Sequence, residues 1–115
     1  MSAALELLDF VGFFEAEPTS IDEEVGWTCG AQFDSVRGEN RIQAVVAPDE
    51  GEFSFKWWDA VGIRVDVSLH GVVDWIFQCQ PGRERLILKF HQPGVECFIL
   101  ELKPHISVSH LVSWA

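Results

Sequence analysis

Basic side chains are scarce in this sequence. Its 115 residues include eight Lys and Arg against 18 Asp and Glu, which gives a formal net charge of −10 at pH 7. Such a charge repels phosphate backbones and anionic membranes, because proteins that bind them gain affinity by neutralising phosphates. The composition therefore argues against nucleic acid and membrane surfaces as partners, and it permits a basic protein partner.

Long apolar runs are absent as well. No run approaches the roughly 20 residues that a helix needs to cross a bilayer. The N-terminus begins with no Lys or Arg and places Glu6 and Asp9 among its apolar residues, unlike a secretory signal. We therefore expect a cytoplasmic protein.

The sequence also lacks motifs for catalysis, metal binding or phosphate binding. It contains no Gly-x-Ser-x-Gly elbow, no glycine-rich phosphate loop and no Cys-x-x-Cys pair. The histidines have no thiol or acidic partner at a motif spacing, and we expect the cysteines to be reduced, buried thiols. We predict no catalytic residue, no metal site and no cofactor. The histidines are His70, His91, His105 and His110, and the cysteines are Cys29, Cys79 and Cys97.

Apolar and aromatic residues, in contrast, are plentiful. The hydrophobic fraction is 48%, with nine Phe and five Trp. This is typical of a packed core, and the length suits a single domain over residues 1–115. From Ala4 to Phe14, apolar residues recur at helical spacing and predict a short helix over about residues 3–14 that docks on a sheet.

Strand patterns follow the helix and are separated by short turns. Apolar and polar residues alternate over residues 25–34, 41–46, 52–58 and 61–70, and again after Gly71. Connections this short leave no room for crossover helices. We predict an α+β, mainly β fold, with a strongly twisted antiparallel sheet of seven to eight strands forming a sandwich or partial barrel. The predicted core comprises Leu8, Val11, Trp27, Phe33, Ile42, Val46, Phe53, Phe55, Val65, Val67, Trp75, Phe77, Leu86, Leu88 and Phe90.

Trp58 has two interpretations. If the strand from Glu52 runs without a bulge, Trp57 joins Phe53 and Phe55 in the core and Trp58 points outward, where it would suit an interface anchor. A bulge at the two tryptophans, or a helix packed over that face, would bury both rings instead. The pattern alone leaves both open.

Acidic residues cluster in two polar turns of the first half of the chain. Solvation keeps such carboxylates ionised, which favours electrostatic recognition over acid–base catalysis, and neither cluster has the order of a calcium loop. With Trp58, they form the predicted partner-binding set. The clustered residues are Asp22, Glu23, Glu24, Asp49, Glu50 and Glu52.

The middle of the chain resembles the small immunity proteins of bacterial polymorphic toxin systems. The resemblance lies in the segment KWWDAVGIRVDVSLHGVVDWIFQC followed by RLILKF, in which a Trp precedes a strand and a Gly-Val pair opens the next. It implies a non-enzymatic protein that binds and neutralises a cognate toxin, often a basic nuclease.

Two other classes of function stay open from the residues alone. One is a structural or homo-oligomeric domain, with a homodimer as an option, and the other is a small-ligand carrier or an enzyme. A carrier would show an apolar internal cavity and an enzyme a cleft with convergent titratable groups. A binding protein would show a solid core and an exposed acidic and aromatic patch.

Overall fold

The computed structural model describes residues 6–21, 24, 26–90, 95–103 and 105–112. One α-helix precedes a series of β-strands, with two short 3₁₀ helices between strands. The elements are α1 (Leu7–Phe14), β1 (Pro18–Ile21), the first 3₁₀ helix (Trp27–Cys29), β2 (Ala31–Arg37), β3 (Asn40–Ala47), the second 3₁₀ helix (Pro48–Glu50), β4 (Glu52–Trp58), β5 (Ile63–Leu69), β6 (Val72–Gln80), β7 (Arg83–Phe90), β8 (Val95–Lys103) and β9 (Ser107–Val112).

The strands form two antiparallel sheets. The first has the order β1-β2-β3-β4-β5 and the second β6-β7-β8-β9. The chain divides into two compact units, residues 14–70 and residues 1–13 with 71–115. The mainly β, antiparallel fold with one short helix is confirmed, and neither described sheet closes into a barrel. A single sheet of seven to eight strands is not confirmed, and the single domain over residues 1–115 stays a prediction.

The unit of residues 14–70 buries one face of its sheet. Strict alternation places apolar side chains of β2, β3 and β4 side by side, because the register pairs Phe33 with Ala44 and Ala44 with Phe55. Phe14 stacks on Phe33 with ring centroids 5.2 Å apart. The predicted core positions in β2 to β4 are therefore confirmed. Those buried here are Phe33, Ile42, Val46, Phe53 and Phe55.

The β2–β3 hairpin is tighter than the sequence suggested. The segment Ser35 to Asn40 reads as an open turn, but the strands pair as far as Arg37 and Asn40. Gly38, with φ 61, is the first of the two turn residues, a position that favours glycine because few side chains adopt positive φ. Val36 is thereby placed on a strand.

The strand predicted over residues 25–34 is wrong in its first half. A 3₁₀ turn occupies Trp27–Cys29, and β2 begins only at Ala31. Gly26 has φ 97, a left-handed conformation that breaks a strand, and the Thr28 hydroxyl donates a 2.7 Å hydrogen bond to Asp49. Trp27 is consequently half-buried, outside the predicted core.

The second unit packs α1 on an aromatic strand. The ring of Phe10 meets those of Trp75 and Phe77 edge-on at 5.8 and 5.1 Å, and Phe13 meets Phe77 at 5.6 Å. The predicted docking of the helix on a sheet is confirmed. Buried leucines of β7 and β8 share this face, since the register aligns Leu88 with Phe98. The buried strand residues of this unit are Val72, Leu86, Leu88, Phe98, Leu100 and Leu102.

The buried stripe of α1 differs from the predicted one. Leu8 is 72% exposed, whereas Phe10, Phe13 and Phe14 are buried, so the core prediction is wrong for Leu8. The predicted start of the helix lies outside the described residues. The described helix begins after Glu6, whose N–H donates to the Asp9 carboxylate at 3.0 Å, half of a capping box.

Other predicted buried residues lie nearer the surface. Val11, Val65, Val67, Trp75, Phe77 and Phe90 are half-buried. All three cysteines are free thiols, but Cys79 is exposed and Cys29 and Cys97 are only half-buried. The prediction of buried cysteines is therefore wrong, most clearly for Cys79.

A polar network on the other face of the first sheet joins three of its strands. The Asp34 carboxylate of β2 accepts hydrogen bonds from Thr19 of β1 at 3.0 Å, from Gln32 at 3.1 Å and from Gln43 of β3 at 3.2 Å. Arg41 lies 3.9 Å away. Partial burial raises the pKa of Asp34, but these hydrogen bonds and the Arg41 charge together lower that pKa below its ordinary value of 3.8.

We predict that Phe55→Ala lowers the free energy of unfolding by about 3–5 kcal/mol, since Phe55 is fully buried and the deletion leaves a cavity. Val36→Ala is the control in the same sheet, because Val36 is 73% exposed. It should cost under about 1 kcal/mol. Urea denaturation measures both changes. Equal losses for the two variants would contradict the assignment of faces.

We also predict that the contribution of Asp34 to stability disappears in acid. A folded-state pKa below the unfolded value stabilises the fold above the unfolded pKa, and this contribution is lost as the pH falls through the folded pKa. Asp34→Asn should therefore cost about 1 kcal/mol at about pH 7 and much less at about pH 3. Urea denaturation of both proteins at the two pH values tests this, because other acids titrate equally in both. A difference independent of pH would contradict it.

Candidate protein-binding face

The face of the β1–β5 sheet opposite its buried core presents polar, charged and aromatic side chains. Along β4 it carries Glu52, Ser54, Lys56 and Trp58, which alternate with the buried residues of that strand. We call it the outer face. Its other members follow from the strand register and are Ser20, Gln32, Asp34, Val36, Arg41, Gln43, Val45, Ala47, Ile63, Asp66 and Ser68. Of these, only Ala47 is buried.

One end of the outer face is aromatic and aliphatic. The register aligns Val36, Arg41, Trp58 and Ile63 across four strands, and we call this set the Trp58 row. Val36 is 73% and Ile63 60% exposed. The Arg41 guanidinium lies 5.1 Å from the centroid of the Trp58 ring. The row thus combines a half-buried Trp with an Arg, the residue types that dominate binding hot spots.

The two tryptophans lie on opposite faces of β4. The β3–β4 register is continuous through the pairs Ile42–Trp57 and Arg41–Trp58, so Trp58 belongs to the outer face, as predicted for a strand without a bulge there. The irregularity near the tryptophans falls on β5, where Arg64 is skipped between the partners of Trp57 and Trp58. Trp58 is half-buried, with Arg41 over its ring.

Trp57 lies on the face opposite to Trp58, and its indole N–H has a hydrogen-bond partner there. Its indole N–H donates to the Asn40 side chain at 3.0 Å, and the Arg64 guanidinium lies 5.9 Å from its ring centroid. The side chain of Trp57 is therefore held by contacts within the sheet, whereas the side chain of Trp58 lies on the outer face.

The turn from β4 to β5 is fixed by Asp59. Its carboxylate accepts hydrogen bonds from the N–H groups of Val61 at 2.8 Å and Gly62 at 3.1 Å, and it pairs with Arg64 at 3.3 Å. The hydrogen bond from the Val61 N–H is the largest influence on the pKa of Asp59 and lowers it. Burial raises this pKa, but the Gly62 N–H and the Arg64 charge also lower it, so the pKa lies below its ordinary value. The turn holds Val61, which is 94% exposed, next to the Trp58 row.

The opposite end of the outer face is acidic. Asp49 and Glu50 are exposed in the second 3₁₀ helix, where Thr28 binds Asp49, and Glu52 follows at the start of β4. The Glu52 carboxylate lies 3.4 Å from the Nδ1 atom of His70. We call Asp49, Glu50 and Glu52 the acidic turn.

The other acidic cluster is described only at Glu24, which is exposed. Asp22 and Glu23 lie outside the described residues. The hydrogen bond from Thr28 to Asp49 brings the segment that follows this cluster against the acidic turn.

Trp58 and the acidic turn lie at opposite ends of the outer face. Trp58 follows Glu52 by six positions along an extended strand, a distance of about 20 Å at about 3.4 Å per residue. A partner must therefore cover most of the outer face to reach both. A standard interface of about 800 Å² per protein is wide enough for this.

Sequence reasoning missed three residues of this surface, namely Val36, Arg41 and Ile63. Val36 fell in an expected turn, and Arg41 and Ile63 gain their significance only from the strands that align them with Trp58. The signal that was available is the glycine at position 38, since a two-residue turn there extends the alternation of β2 to Val36.

The described residues show no metal centre and no membrane helix. Among them, no group of three or more His, Cys, Asp and Glu could hold a metal ion. No helix within the same residues is long and apolar enough to cross a bilayer.

Comparison with known proteins gives a fold relationship. No family model matches the sequence, and no curated protein matches it. A chain of the contact-dependent growth inhibition toxin–immunity protein complex from Klebsiella pneumoniae 342 is similar in structure, with a TM-score of 0.78, 12% sequence identity and coverage of 95% of this chain and 95% of that chain. The resemblance to immunity proteins that residues 56–90 suggested is confirmed at the level of the fold.

Proposed function

We propose that this protein is an immunity protein, which binds a basic toxin domain and neutralises it without catalysis. The observation that carries the proposal is the similarity, over 95% of both chains, to a chain of a toxin–immunity protein complex. The proposal treats residues 1–115 as one domain that acts in the cytoplasm.

The charge of the chain supports a basic partner. Residues 1–59 contain thirteen Asp and Glu against three Lys and Arg, whereas residues 60–115 contain five of each. Clustered carboxylates accelerate the encounter with a positively charged surface. We propose that the acidic turn and the cluster Asp22 to Glu24 supply this attraction.

The chemistry of the outer face supports a protein partner. Four of the six exposed large apolar side chains in the described residues lie on it or in its adjoining turn, namely Val36, Val45, Val61 and Ile63. Scattered apolar residues are normal on a surface, but a cluster beside an Arg and a Trp suits an interface. We propose Trp58 as the anchor of the bound toxin.

The proposal predicts that a large open reading frame upstream of this gene ends in a small basic toxin domain, and the direct test uses that domain. Expression of that domain should stop bacterial growth, and co-expression of this protein should restore growth. The purified pair should form a complex with a Kd of about 1 nM or below, as in other tight inhibitory complexes. Continued toxicity in the presence of soluble, folded immunity protein would contradict the proposal.

We predict that charge and anchor act on different rate constants. Replacing Asp49, Glu50 and Glu52 by Asn or Gln should lower the association rate and flatten its salt dependence, because exposed charges act over only about 8 Å at physiological ionic strength. Trp58→Ala should instead raise the dissociation rate by about 30-fold, equivalent to about 2 kcal/mol. Biolayer interferometry at several salt concentrations measures both.

Matched variants separate the effect of the acidic turn from that of net charge, and the effect of Trp58 on binding from an effect on stability. Replacing Glu6, Glu17 and Asp74, which are exposed elsewhere, removes the same net charge and should leave the association rate nearly unchanged. Trp57→Ala should lower stability, whereas Trp58→Ala should leave the domain folded. If Trp58→Ala unfolds the protein, or if both charge triples slow association equally, the proposed roles are wrong.

A further inference from the structure

An open cleft lies at the edge of the outer face, within the β1–β5 unit. Its volume is about 280 Å³. The outer-face side chains of β1, β2 and β3 meet at its floor, because the register pairs Ser20 with Gln32 and Gln32 with Val45. Cys29 and Gly30, at the end of the first 3₁₀ helix, form a wall, and Ile21 lies at the end of β1 beside it.

The cleft exists because small residues line it where the chain enters β2. An added Cβ at Gly30 would meet no atom within 4 Å. Gly30 also has φ 161, an extended conformation that any residue adopts. The space above Gly30 is therefore open, and a larger side chain there would fill it without backbone strain.

The polar surroundings of the cleft are acidic. Asp34, whose pKa is lowered, receives a 3.1 Å hydrogen bond from the floor residue Gln32. Asp49 accepts the Thr28 hydroxyl at 2.7 Å, next to the wall residue Cys29. Among the described residues, no charged side chain lines the cleft itself.

The size and lining of the cleft suit one side chain of a partner. Sites for small ligands occupy about 300–1,000 Å³ and are mostly apolar and enclosed. This cleft is smaller, open and partly polar. An arginine matches it chemically, since its aliphatic stem packs on apolar surface such as Val45 while its guanidinium charge lies in the negative field of the nearby Asp34 and Asp49 carboxylates.

We propose that this cleft receives an arginine side chain of the toxin partner. The proposal rests on the proposed function, because the occupant belongs to the basic surface that the acidic half of the chain attracts. It adds a contact that neither the acidic turn nor Trp58 provides, and it places that contact at the β1 edge of the outer face.

The first test needs no toxin. Titration of the ¹⁵N-labelled protein with L-argininamide, followed by NMR, should shift the amide signals of Cys29, Gly30 and Gln32 in a saturable manner. L-norleucinamide, which has a similar stem without a guanidinium, should not. Gly30→Val should abolish the shifts. If argininamide leaves these signals unmoved, acts equally on Gly30→Val, or is matched by L-lysinamide, the assignment of the cleft to arginine is wrong.

The second test uses the toxin domain. Gly30→Val should raise the dissociation rate at least tenfold and leave the association rate within twofold, because it fills the cleft but keeps every carboxylate. Gly12→Val is the control, since an added Cβ at Gly12 also meets no atom within 4 Å, and it should bind like the unaltered protein. Melting temperatures confirm that both variants fold.

The outcomes separate the two proposals. If the unaltered protein does not bind the toxin domain, the proposed function fails, and the argininamide titration still decides what the cleft binds. If the unaltered protein and Gly30→Val bind equally well, the proposal for the cleft fails and the proposed function stands.

Discussion

The register between β3 and β4 is the constraint on which the rest of the first sheet depends. It pairs Ile42 with Trp57 and Arg41 with Trp58, and it continues without interruption to the acidic turn. Because side chains alternate along a strand, a slip of one residue would exchange the buried and the outer faces. The same pairing therefore places Phe53 and Phe55 in the core and assembles the surface to which we assign binding.

Alternation made part of this fold predictable. In residues 52–58 it predicted correctly that Phe53 and Phe55 are buried, since a half-buried strand shows its period of two directly in the sequence, but it left the direction of Trp58 open. It failed at Trp27, where a glycine with positive φ and a hydrogen bond from Thr28 to Asp49 produce a 3₁₀ turn instead. The division into two sheets was not predictable, because strand pairing depends on contacts distant in sequence.

The candidate site was likewise predictable only where it depends on a single strand. Local alternation permitted an outward Trp58 but did not exclude a bulge. Its placement on the outer face, its cover by Arg41 and its alignment with Val36 and Ile63 depend on the neighbouring strands. The separation of Trp58 from the acidic turn follows from strand geometry once β4 is known to be continuous. The cleft could not be anticipated, since it arises where three strands and a 3₁₀ helix meet.

The irregularity at Arg64 has a consequence for the protein on its own. β5 is the last strand of its sheet, and an exposed edge strand is a template for pairing with another chain. The skipped residue interrupts the regular ladder near the start of β5, and the exposed charges of Arg64 and Asp66 lie along the same strand. Bulges and charges on an edge both oppose edge-to-edge aggregation. In this protein the two features occur together on β5, so the strand that ends the sheet is also the one least suited to pairing with a further strand.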